Sequence, residues 1–102
     1  MLFLMKFSMP VEAGNAAARN AFEVIPQILQ EQKPEAAYFG AEDGKRTAFL
    51  FIEMNDVSQL PAIAEPWFLA LNATCEITPV MRPEDLQKAG PAIGQAVRKY
   101  AR

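Results

Sequence analysis

Residues 34 to 54 read PEAAYFGAEDGKRTAFLFIEM, two β-rich runs either side of a polar turn that contains Asp43-Gly44. Such a pattern specifies an antiparallel hairpin, because Asp-Gly accepts the positive φ values that match the twist of two paired strands. We assign its arms to Ala36–Gly40 and Arg46–Met54, around Glu42-Asp43-Gly44-Lys45. Any fold for this chain must contain that pair.

The remaining elements fall into order around it. Leu2 to Phe7 reads as a first strand, rich in large apolar groups and ended by Pro10. Val11 to Gln32 is mainly helical, with Gly14-Asn15 and Pro26 as interruptions, so a loop or short turn is expected before the main helix. Asn20 and Glu23 have the spacing of a capping box, although a start near Ile25 is also compatible with Pro26. After the hairpin, Asn55-Asp56-Val57-Ser58 offers helix caps. Leu60, Ile63, Ala64, Trp67, Phe68 and Leu71 then form one apolar stripe, with Pro66 expected to bend or divide the helix and Asn72 to stop it. Ala73 to Met81 alternates as a fourth strand whose Pro79 points to a sheet edge. Pro83-Glu84-Asp85 opens a final helix that Gly90-Pro91 is expected to interrupt.

The order strand, helix, strand, strand, helix, strand is that of an α+β, ferredoxin-like βαββαβ domain with an antiparallel sheet and an added C-terminal helix, a single domain over residues 1–102. Both faces of its strands are apolar. Leu2, Leu4, Phe49 and Phe51 alternate with Phe3, Met5, Leu50 and Ile52, so one face needs a cover besides the two crossover helices. Burying one Leu or Phe contributes roughly 1.5–3 kcal/mol, which makes the same face of a second copy the simplest cover. The C-terminal helix folded over that face is the alternative.

Composition excludes much chemistry. The chain has no histidine and one cysteine, Cys75, which removes Cys–His and Ser–His catalysis, most zinc sites and any internal disulfide, and suits a reducing, cytoplasmic setting. A net charge of −2 supplies no basic field for nucleic acid. No apolar run reaches spanning length, and MLFLMKFSM lacks the basic start and cleavage pattern of a leader, so no membrane association is expected. No cofactor motif and no metal-ligand cluster is visible.

The segment KPEAAYFGAEDGKRTAFLFIEMNDVSQLPAIAEPWF, followed by ITPVMRPEDLQKAGPAI, resembles a family of small, uncharacterised bacterial proteins with a dimeric ferredoxin-like, α+β barrel fold. That resemblance implies the fold and a homodimer and carries no catalytic motif, so a site must be argued from the residues.

In a sheet of order 4-1-3-2, Lys6 on the first strand lies near Thr74 or Glu76, with Thr47 on its other side and Glu53 towards the opposite end, all on the face assigned to the dimer interior. Lys6 beside Glu76 in a partly closed cavity would orient a carboxylate or carbonyl, or act as an acid–base pair; the bland alternative is a structural ion pair. Tyr38 offers a hydroxyl at the end of an apolar pocket, and Phe51 a wall. Lys6, Tyr38, Phe51 and Glu76 are therefore the candidate ligand-binding residues. Trp67 and Phe68 are assigned to core packing, Arg19 and Asn20 to a solvated loop or a pocket mouth, Glu53 to a strand end in water, and Cys75 to an inert buried thiol. Two functions remain: binding of a small organic carboxylate or aromatic molecule, with or without cofactor-free chemistry, and a structural or regulatory dimer without a ligand.

Overall fold

The computed structural model describes the backbone of residues 1–102 and every side chain except those of residues 13–20 and 22. Its elements run β1 (Leu2–Ser8), α1 (Val11–Gln32), β2 (Ala36–Glu42), β3 (Lys45–Glu53), a 3-10 turn (Val57–Gln59), α2 (Leu60–Leu71), β4 (Thr74–Val80) and α3 (Pro83–Tyr100). The four strands form one antiparallel sheet of order β2-β3-β1-β4, the ferredoxin-like arrangement, and β4 with Pro79 lies at its edge. The hairpin closes through Asp43 and Gly44, both at positive φ (54° and 74°), and its arms reach one residue or two closer to the turn than expected.

One face of the sheet is closed by α1 and α2. Met5, Phe7, Ala48, Leu50 and Ile52 are buried there with Ile28, Ala64, Trp67 and Leu71. Trp67 stacks on Phe7 at 4.7 Å between ring centroids, and its indole N–H donates to Gln32 Oε1 at 3.3 Å. Gln32 in turn donates to the Ile63 carbonyl at 2.7 Å, so one amide side chain ties the end of α1 to α2 and satisfies the polar edge of the core's largest ring.

Several boundaries differ from expectation. Helix α1 spans Val11–Gln32 as one element, with Pro26 inside it; the expected cap at Asn20 and the Arg19 pocket mouth rest on side chains outside the described residues. Neither Pro66 nor Pro91 divides its helix. Proline removes one ladder donor. In α2 the loss is offset by packing of Ala64, Trp67 and Leu71 on both sides of it, whereas α3 buries no residue and has no such compensation. Asp56 caps the 3-10 turn by accepting from Ser58 N–H at 2.8 Å, with Gln59 completing the capping box, and α2 continues directly from it. Asn72 ends α2 in the left-handed conformation, φ 52°. Phe68, assigned to the core stripe, stands exposed, because the wide arc from Trp67 to Phe68 carries it past the sheet.

Helix α3 leaves the body. The molecule measures 56 × 28 × 20 Å and has a radius of gyration of 17.3 Å, against about 13 Å for a compact chain of this length. Its 18 residues account for about 27 Å of the long axis. The C-terminal helix is thus not the cover of the second sheet face.

Candidate functional site on the open face of the sheet

Strand alternation places Leu4, Lys6, Phe49, Phe51, Tyr38 and Glu76 on the face opposite α1 and α2. The register arranges them in rows that cross all four strands. Tyr38, Phe49, Lys6 and Glu76 form one row; Ala36, Phe51, Leu4 and Thr78 form the next. The sheet therefore brings three of the four candidate residues, Lys6, Tyr38 and Glu76, into a single line, with Phe51 diagonal to Lys6 and Tyr38. Leu4, Phe49 and Phe51 are half-buried among one another, and Tyr38 is 63% exposed at the β2 edge. Thr47, expected beside Lys6, pairs instead with Ser8, one row further.

Lys6 is the electrostatic centre of this face. Its Nζ donates to Glu42 Oε1 at 3.0 Å and lies 3.5 Å from Glu76 Oε2. The Glu76 contact follows from the ladder. The Glu42 contact does not: Glu42 lies two strands away and four residues beyond Tyr38, so the bond forms only because the hairpin end coils over the open face, as right-handed twist makes edge hairpins do. Thr47, near the turn on the same strand as Phe49, is buried, its hydroxyl donating to the Lys45 carbonyl at 3.0 Å, and Gly40 opposite it contributes no side chain. The hydrogen bond to Glu42 is the largest influence and raises the Lys6 pKa; burial opposes it, and the charges of Glu42 and Glu76 add to the rise, so the ammonium stays charged at neutral pH and cannot serve as a base. One ammonium held by two carboxylates leaves the group with a net negative charge.

At the other end of the same face, Arg82 donates to Glu35 at 2.9 Å and to Glu53 at 3.0 Å, and its backbone N–H donates to Asp85 at 3.0 Å. Glu53 also accepts from the Met1 amino group at 2.7 Å, and this contact, followed by Arg82, holds its carboxyl below the usual range. Glu53 is therefore not a bare strand end in water. A depression of about 340 Å³ lies here, lined by Met1, Leu2, Glu53, Val80, Met81, Arg82 and Asp85. A second, of similar volume, is an open groove between α1 and α2 lined chiefly by Val24, Ile28, Pro66 and Leu69. Neither includes Lys6, Tyr38, Phe51 or Glu76.

Sequence reasoning missed both Glu42 and Arg82. The Arg82 cluster was recoverable: β4 ends beside the start of β1, which faces the end of β3, so a charge just past Val80 must meet Glu53. Cys75 faces the core, half-buried, and burial followed by the Glu76 charge pushes its thiol up to about 11. Among the described residues no group of acidic, cysteine or histidine side chains has the arrangement to hold a metal ion, and no helix is long and apolar enough to cross a membrane.

Residues 1–94 match the family described as Domain of unknown function (DUF3303). The chain belongs to that family. No curated protein matches this DUF3303 chain. Among solved structures it is similar to 5-chloro-2-hydroxyhydroquinone dehydrochlorinase from Burkholderia phenoliruptrix AC1100, determined in complex with 2,5-dihydroxybenzoquinone. The two share 15% sequence identity with a TM-score of 0.63, over 83% of this chain and 98% of that one, a likeness of fold.

Proposed function

We propose that this DUF3303 protein is a homodimeric α+β barrel that binds a small aromatic molecule between its two open sheet faces. The observation that carries this reading is the open face itself: Leu4 and Phe49 neighbour Lys6 on the sheet with Phe51 diagonal to it, and neither α1, α2 nor α3 lies over them. Leaving these side chains against water would forfeit roughly 1.5–3 kcal/mol each. A second copy supplies the cover, and a cavity walled by aromatic rings with one charged donor is the pattern of a small-ligand site. The structurally similar dehydrochlorinase holds a quinone, which supports a ring-shaped ligand by analogy of fold.

The charge balance narrows the ligand class. Because Glu42 and Glu76 already engage Lys6, an added carboxylate must displace one of them and meet the other, whereas a neutral phenol or carbonyl oxygen only needs a free Lys6 N–H. Lys6 is the donor in this reading, Tyr38 the polar rim and Phe51 the wall. Glu76, exposed on the edge strand, is the partner that gives way.

Calorimetric titration with hydroquinone and with benzoate tests this. Hydroquinone should release or absorb heat with the parent and not with Lys6→Met, which keeps the apolar stem and loses the donor, while benzoate gives no signal with either. Equal hydroquinone binding by both proteins removes Lys6 from the site. One observation favours a dimer without a ligand, namely that two carboxylates occupy the ammonium as a structural cluster; in that case neither compound binds and Lys6→Met only lowers the melting temperature.

A further inference from the structure

Helix α3 is built to be half of something. Leu86, Gly90, Ile93, Val97 and Tyr100 recur at alternating steps of four and three residues, so they fall within an arc of about 80° on the helix surface. Leu86, Ile93 and Val97 are 51%, 49% and 55% exposed, although a seam of this kind is worth its sequence only when covered. The residues flanking it are Ala89, Gly94 and Ala96, which allow another helix to approach closely. Every charge lies on the far half of the helix: Glu84 and Asp85 at its start, Lys88 in the second turn, Arg98 and Lys99 in the last.

We propose that α3 pairs antiparallel with α3 of a second copy of this chain. Two features select that occupant. The acidic first turn of one helix comes level with the basic last turn of the other, on the outer side of the pair, with both helix dipoles opposed, whereas a parallel pair would bring like ends level with like. The seam is also self-complementary about a two-fold axis: with Leu86 opposite the second copy's Val97, apolar against apolar, Ile93 falls opposite the second copy's Gly90, a large side chain against a gap. Nothing on α3 has to rearrange to make the contact. Arg82 pins the root of the helix to Glu35 and Glu53, so the seam is presented in a set direction rather than on a loose tail.

This contact is distinct from the open sheet face and does not rest on it. A chain with two self-complementary surfaces closes as a dimer if both share one axis and as a larger symmetric assembly if they do not.

Disulfide trapping in the full chain tests the pairing, in a Cys75→Ala background. Leu86→Cys with Val97→Cys should give a covalent dimer on mild oxidation, while either single variant stays monomeric on a denaturing gel, because the antiparallel arrangement brings position 86 to position 97 and keeps like positions about 16 Å apart. Trp67 emission confirms that each variant keeps its core. Adding Ile93→Glu should abolish the cross-link, and adding Phe51→Asp, on the sheet face, should leave it in place. Single variants that cross-link as readily as the double, or a double variant that does not cross-link at concentrations where the parent is dimeric, would overturn the proposal and place α3 against another surface.

Discussion

The two faces of one sheet are built from the same alternating strands and reach opposite ends. On the inner face Met5, Phe7 and Leu50 vanish under α1 and α2, with Trp67 stacked across them and its one polar atom satisfied by Gln32. On the outer face Leu4, Phe49 and Phe51 are covered only by one another, and the single long polar side chain among them, Lys6, is held by Glu42 and Glu76. Local pattern is almost equal on the two faces. What differs is which of them the chain itself can close, and the connections between strands put both crossover helices on one side.

The comparison makes the inner face the seat of stability. Phe7→Ala removes a fully buried ring from contact with Trp67 and should cost about 3–5 kcal/mol, read as the largest loss in urea midpoint of any single substitution in the sheet. A smaller loss than that of Phe51→Ala would invert the roles of the two faces.

A lesser effect separates them by pH. The outer face's end carries Glu53, whose carboxyl is lowered by the Met1 amino group and Arg82, so its contribution is complete above the ordinary carboxylate value of about 4.3 and is lost as pH falls through its depressed value. Asp56, lowered by the Ser58 N–H that it caps, adds to the same limb. The melting temperature should be level near neutrality and fall below about pH 4, and Glu53→Gln should flatten part of that fall while leaving Phe7→Ala's penalty unchanged. A melting curve for Glu53→Gln that tracks the parent at every pH would detach Glu53 from the account.

Most of the fold was legible because its signals are local. Asp43-Gly44 fixes the hairpin, Asn72 stops α2 with a left-handed residue, and Pro79 marks an edge strand. The interruption expected at Gly90-Pro91 did not occur, and of the bend or division expected at Pro66 the division did not, since a missing N–H costs one bond and does not by itself end a helix. The nearness of Lys6 to Glu76 was legible from alternation and strand order, whereas the continuation of that row through Phe49 to Tyr38 was not, since Thr47 was expected beside Lys6. The Lys6–Glu42 bond was not, because it depends on how far the hairpin coils across its own sheet, a quantity that no spacing in the sequence encodes. Nor did spacing show that α3 would stand clear of the body rather than fold back over Phe49 and Phe51.

Whether a second copy covers the open face, as proposed, is decided by sedimentation velocity on Phe51→Asp. The parent should sediment as an assembly of at least two chains at micromolar concentration. The variant, which sets an unpaired charge where Leu4 and Ala36 flank it, should lose that contact while its Trp67 emission remains that of the folded core. A parent that sediments as a single chain, or a Phe51→Asp variant that associates as strongly as the parent, would contradict the claim.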